Sequence, residues 1–406
     1  MSVLAGRRLL HGSFRILVTG QCLGQGADGL AQAAFAQFVV FEVGPGATPG
    51  RFAALLAATL LPFSVVGPFA GVIIDRWPRR RILVVTSLVR AALTLASVGT
   101  VVARSEAGAF VGVLLLLSTS RFVLAAKGAS LPRTVARADL VPANSISSVA
   151  GLAAVFVGAV GGVAFVGWSA MAGFLAGAVL YLAASAVFTG LPDVGGGTGD
   201  HRLLRSLGDA LADVGNGLRA VGRPEIGRPL AAVWSHRLLL GAGFVTVVLV
   251  SNSRFHLEIS GYGLALTATG VAAFLGSLAA PVAARHLPPL ALVPMPFLPP
   301  AAAAFVAGAV PTLPVLVAGL AVTAFSFQTL KVLVDALVGG ASPDEVRGRV
   351  FAVYDVLYNV AFVLAGLLMV PLWAPGRVRV LLWGIAVAFV LGWLVFARVT
   401  SRTVPR

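Results

Sequence analysis

Cysteine is almost missing from this chain: Cys22 stands alone in 406 residues, which excludes a disulfide framework and a thiolate metal site. Charge is scarce as well. Asp, Glu, Lys and Arg make up 11% of the sequence, less than half of the roughly 25% in an ordinary soluble domain. There is no glycine-rich loop ending in Lys-Ser/Thr, no His-Glu-x-x-His pair and no Cys/His cluster. Nucleotide hydrolysis and metal-assisted hydrolysis therefore have no residues to carry them, and neither an enzyme nor a cofactor nor a metal is expected. The string Gly24-Gln25-Gly26-Ala27-Asp28-Gly29 matches a dinucleotide fingerprint only in its letters. It lies inside an apolar stretch and follows no strand, so its glycines are read as helix packing.

Apolar residues take the place of the missing charge: 58% of the chain is hydrophobic and its mean hydropathy is +0.95. The net charge of +15 does not indicate nucleic acid, because the arginines lie between apolar runs instead of gathering on one solvated face. Twelve runs approach the roughly 20 residues needed to cross a bilayer core. They cover about 14–41, 51–74, 81–103, 108–129, 146–167, 169–190, 229–253, 261–284, 288–309, 313–338, 349–373 and 380–398. The first run follows Arg7, Arg8 and Arg15 but lacks a small-residue cleavage site, and it is read as a span.

Loop charges orient these spans. With both termini in the cytoplasm, most Lys and Arg fall in inside loops, including Arg79-Arg80-Arg81 and Arg219/Arg223/Arg228; Arg51, Arg104, Arg254, Arg377 and Arg379 fall outside. That asymmetry is the positive-inside pattern, which favours an even number of spans. The predicted architecture is an all-α membrane protein of 12 transmembrane helices in two pseudo-symmetric six-helix bundles, residues 1–190 and 229–406. Between them, 191–228 forms a cytoplasmic linker. Leu203, Leu207, Leu211, Val214, Leu218 and Val221 recur there at helical spacing among charged residues, predicting an amphipathic helix on the membrane surface. The halves also look repeated, with Asp139 to Asn144 before the fifth span matching Pro343 to Arg349 before the eleventh. Such duplication lets two packed repeats rock about a site near the midplane.

Gly71-Val72-Ile73-Ile74-Asp75-Arg76-Trp77-Pro78-Arg79-Arg80-Arg81 resembles the signature loop of the major facilitator superfamily, Gly-x-x-x-Asp-Arg-x-Gly-Arg-Arg/Lys, in the place where that family carries it. Pro78 replaces the second glycine and fixes φ near −65°, so the turn must differ. The resemblance makes Gly71, Asp75, Arg76, Arg79 and Arg80 a gating motif. In it, Asp75 latches onto the amides at the start of the eleventh span, near Arg349, in the outward-open state. Phe14 to Leu30, Ser87 to Arg90, Arg121-Phe122, Leu131-Pro132, Ala143-Asn144 and Arg347 to Phe351 are similar to the branch of macrolide and catecholate-siderophore exporters. Gly158-Ala159-Val160-Gly161-Gly162 resembles that family's fifth-span antiporter signature without its proline.

Ionised groups inside a span cost roughly 2.5–3.5 kcal/mol each on insertion scales, so each one calls for a reason. Asp28, Arg90 and Arg121 lie near mid-span; Lys127, Lys331, Asp335 and Asp355 lie nearer the cytoplasmic ends. Asp28 and Arg121 are the expected proton-coupling pair. A carboxylate facing an arginine stays ionised, and one left in a dry cavity takes up a proton. Arg90, Lys127, Lys331, Asp335, Tyr354, Asp355, Tyr358 and Asn359 are the candidate cavity and gate residues, with Lys331 and Asp335 on one helical face. Pro288, Pro289, Pro294, Pro296, Pro299 and Pro300 predict a kinked or broken ninth span. His236, His256 and His286 fall near membrane edges and are expected to be solvated.

The expected function is a secondary active exporter of a small amphipathic molecule across the cytoplasmic membrane, working by alternating access and driven by the proton gradient. Intramembrane cations outnumber anions, which favours an anionic or neutral substrate. The alternatives are an importer of a nutrient or lipid-like solute, or a membrane sensor that transports nothing. A monomer in contact with lipid and without a nucleic-acid partner is expected.

Overall fold

The computed structural model describes residues 12–42, 77–136, 140–166, 169–192, 217–284, 289–342 and 344–401, with a few isolated positions besides. Every element among them is helical apart from turns and a single bridge residue. The principal helices are α1 (Gly12–Ala36), α2 (Arg79–Val102), α3 (Glu106–Ser130), α4 (Leu140–Val166) and α5 (Ala170–Thr189). After the linker come α6 (Pro224–Phe255), α7 (Glu258–Ala283), α8 (Leu298–Ala309), α9 (Leu313–Ala341), α10 (Asp344–Leu372) and α11 (Val378–Ser401). Two units emerge: Met1–Gly44 with Pro62–Ala210, and Pro45–Leu61 with Leu211–Arg406. The main division falls within the expected linker, of which the described part includes a helical stretch at 217–221.

Nine of the described helices are long and apolar enough to cross a membrane. Their outer faces are apolar where a soluble protein would be polar: Val102, Leu152, Val157, Val179 and Val380 are each more than 60% exposed. Lipid is the solvent that suits such a surface. Helix α1 is not among the nine, because Gln21, Gln25 and Asp28 lower its hydropathy. The expected second span lies almost wholly outside the described residues. The ninth is broken, as its prolines predict: one helical turn at Pro289–Leu292 and a 3-10 turn at Met295–Phe297 precede the short α8. Each proline removes a backbone N–H from the ladder.

In lipid the hydrocarbon tails compete on equal terms with apolar side chains, so helices associate where their backbones come close. Helices α1 and α4 cross in this way. A Cβ at Gly158 would land on the Gly26 carbonyl, one at Gly29 on the Val155 carbonyl, and one at Gly162 would lie 2.9 Å from the Ala33 Cβ. Gly26 and Gly29 of the fingerprint-like string, and Gly158 and Gly162 of the fifth-span signature, thus serve a helix crossing. In the second unit α6 meets α10 in the corresponding place, with Gly241 set against Phe362 and Ala365. The paired starts read from the sequence fall at Leu140 and Asp344, the first residues of α4 and α10.

Gly158→Val should overpack this crossing by about 1–3 kcal/mol or more and yield aggregated protein after detergent extraction. Gly161→Val, where a Cβ meets nothing within 4 Å, should stay monodisperse. Size-exclusion chromatography of the two variants checks the pair.

Candidate functional site

In the first unit three helices converge on one carboxylate oxygen of α1. Asp28 Oδ1 forms an ion pair with Arg90 Nη2 of α2 and accepts a hydrogen bond from Tyr181 Oη of α5 at 2.9 Å. Ser120 Oγ of α3 has one proton to give, to Asp28 Oδ1 at 2.9 Å or to the Leu116 carbonyl at 3.0 Å. Arg90 also donates to the Gly24 carbonyl at 3.2 Å, and its Cζ lies 4.2 Å from the centre of the Tyr181 ring. The pair is dry, with Arg90 1% and Asp28 8% exposed. Arg90 is therefore the ionic partner of Asp28. The side chain of Arg121, the expected partner, lies outside the described residues; among the described side chains of α3, its neighbour Ser120 reaches Asp28.

A second polar chain runs beside the first. Lys127 Nζ donates to Ser147 Oγ at 3.2 Å, Ser147 Oγ donates to Gln21 Oε1 at 2.7 Å, and Gln21 Nε2 donates to Gln25 Oε1 at 2.7 Å and to the Ser147 carbonyl at 2.8 Å. It joins α3, α4 and α1, and every hydroxyl and amide in it has a consistent direction.

In the second unit, Phe327, Lys331 and Asp335 stand one turn apart on α9, and Tyr354, Tyr358 and Phe362 do so on α10. Lys331 Nζ bridges to Asp335 Oδ2 at 2.7 Å and lies 5.5 and 5.7 Å from the Tyr354 and Tyr358 ring centres. Arg237 of α6 reaches the same tyrosine: its Cζ lies 4.3 Å from the Tyr358 ring centre, 4.2 Å from that of Phe362 and 5.2 Å from that of Phe327. Asn359 and Tyr354 are buried, Tyr358 is half-buried, and Asp355 is exposed.

His236 differs from its expected place. It is fully buried, with Phe297 and Phe389 at 5.0 Å and Phe327 at 5.7 Å between ring centres. Nε2 lies 3.1 Å from the Pro296 carbonyl, which only accepts, so Nε2 carries the proton. Helix α6 starts at Pro224 instead of near 229, which carries His236 more than three turns inside. His256 is exposed at the end of α6, as expected, and His286 lies outside the described residues.

Of the signature loop, Gly71, Asp75 and Arg76 lie outside the described residues. Pro78 is the N-cap of α2 (φ −54°), and its carbonyl accepts from Ile82 N at 3.1 Å. The proline thus starts the helix where the resembled pattern has glycine. Arg79 Nη1 donates to the Val194 carbonyl at 3.2 Å, and Arg80 is exposed.

Helices long and apolar enough to cross lipid in two units, with ionised groups tied together inside each, define a multi-pass membrane protein. Comparison with known proteins agrees. The chain is 31% identical over 357 residues to uncharacterized MFS-type transporters of Mycobacterium tuberculosis and Mycobacterium bovis, covering 84% of this chain and 80% of theirs. It belongs to the MFS-type transporters, and members of that family are not enzymes. No family model matches the sequence. The fold is similar to that of the nucleoside transporter NupG (TM-score 0.69, 13% identity, 97% of this chain and 100% of that one). It is also similar to that of the peptide transporter POT in complex with sulfate (TM-score 0.73, 12% identity, 96% and 94%).

Proposed function

We propose that this MFS-type transporter is an exporter of the cytoplasmic membrane, with both termini in the cytoplasm, that exchanges protons for a small amphipathic compound by alternating access. The observation that carries the reading is the Asp28 centre: one dry carboxylate oxygen addressed by groups from α2, α3 and α5. Adding a proton to Asp28 removes the charge that Arg90 faces and changes what three helices hold on to. Protonation is thereby converted into packing, which is what a proton-coupled transporter needs. The resemblance of Phe14 to Leu30 and Ser87 to Arg90 to the exporter branch supports the direction.

A second reading, import, has one feature in its favour: the fifth-span segment Gly158 to Gly162 has no proline. Counterflow of a transported compound in right-side-out and inverted vesicles separates the two. The export reading expects uptake into inverted vesicles when their lumen is acidified, and uptake confined to right-side-out vesicles would refute it.

For the signature loop the proposal is a latch formed by Asp75. Two access states of one transporter commonly differ by only a few kcal/mol, so Asp75→Ala should shift the population toward cytoplasmic opening. Labelling of cysteines introduced at the cytoplasmic ends should then quicken severalfold; unchanged labelling would contradict the latch.

A further inference from the structure

The two cations in the second unit's ring cluster are not equivalent. Lys331 has a carboxylate, Asp335, at 2.7 Å. Arg237 has none among the described residues; its neighbours are the rings of Phe327, Tyr358 and Phe362. Its Nε is buried without a hydrogen-bond partner. Ring faces attract the cation through their quadrupoles but accept its N–H groups poorly. A guanidinium presents five donors in a planar fork that matches a carboxylate. Within a lipid-solvated protein, such a fork left without an anion is costly to keep.

We propose that Arg237 is the anion-binding residue of a substrate subsite, and that the Tyr358 and Phe362 rings accept the flat apolar part of the same molecule. The substrate class is a planar aromatic carboxylate. The Lys331–Asp335 pair neutralises itself, so Arg237 is the cation that faces a bound anion, and a cationic compound is repelled by it. Arg237 supplies bidentate recognition that Lys331 could not, because an ammonium is a point charge without the planar fork. This assignment rests on the transporter reading above and specifies what it carries.

The test is equilibrium binding to the full-length protein in neutral detergent, by calorimetry and by thermal shift. The probes are 2-naphthoate, its neutral amide 2-naphthamide, and dodecyl phosphate as a lipid-like anion. The wild type should bind 2-naphthoate at least tenfold more tightly than the amide, and at equal concentration the acid should raise the melting temperature further than the amide does. Arg237→Gln should remove the tenfold preference and leave amide binding unchanged, whereas Arg237→Lys should keep part of it. If Arg237→Gln does not yield monodisperse protein, the wild-type preference and the Arg237→Lys variant decide. Equal binding of acid and amide, no binding of either at millimolar concentration, or tighter binding of dodecyl phosphate would each overturn the proposal. No gradient is needed, so this result is separate from proton coupling: loss of coupling in an Asp28 variant leaves the naphthoate preference in place.

Discussion

Asp28→Asn is expected to reduce proton-driven flux at least tenfold, for any compound the wild type moves, with membrane insertion and detergent-extracted yield unchanged. Asparagine keeps the size of the side chain and still accepts from Ser120 and Tyr181, which now lie 2.9 Å from Asp28 Oδ1. What it loses is the site for a proton and the charge opposite Arg90. Energy-independent exchange of substrate across proteoliposomes should survive, because an uncoupled carrier still cycles when loaded on both sides. Normal gradient-driven accumulation by this variant would show that the proton travels elsewhere, and the Asp28 centre would then be a static brace.

Arg90→Leu should have the largest effect on stability. The guanidinium is 1% exposed and holds Asp28 on one side and the Gly24 carbonyl on the other. Removing one member of a buried pair leaves an uncompensated charge and typically costs about 3–5 kcal/mol. We expect little folded protein from Arg90→Leu alone. In the double variant with Asp28→Asn much of the loss should return, since neither charge then remains. A double-mutant cycle on melting temperature reads the coupling; a double variant as unstable as Arg90→Leu would assign the cost to lost packing on Tyr181.

The membrane class and the helical architecture were legible in the sequence because they rest on run length and scarcity of charge, which need no tertiary information. The broken ninth span was legible for the same kind of reason, since a crowd of prolines acts locally. Pairing between spans was harder. Arg90 and Arg121 both stand near mid-span, and nothing in one chain of letters gives the rotation of α2 or α3 about its own axis. The sequence joins Asp28 to Arg121, whose side chain lies outside the described residues, and does not reveal the partners that the structure gives Asp28: Arg90, and Tyr181, a residue with no local signal. Arg237 was missed although the signal was present: it is an ionised residue within a long apolar run. His236 was misplaced by a boundary error, because Pro224 at the first position of α6 extends the helix past the expected start. The glycines were read correctly as packing, but only the structure shows that the two strings meet each other across α1 and α4.

The most direct test of the account is whether Asp28 takes up a proton in the membrane. Infrared difference spectroscopy of the reconstituted protein, stepped from alkaline to acidic buffer, reads the carbonyl stretch of a protonated carboxylic acid without any substrate. The account predicts that such a band appears on acidification in the wild type, shifts in frequency in Tyr181→Phe through loss of the donated hydrogen bond, and is absent from Asp28→Asn. A spectrum with no band that depends on Asp28 at any pH at which the protein stays folded would contradict it.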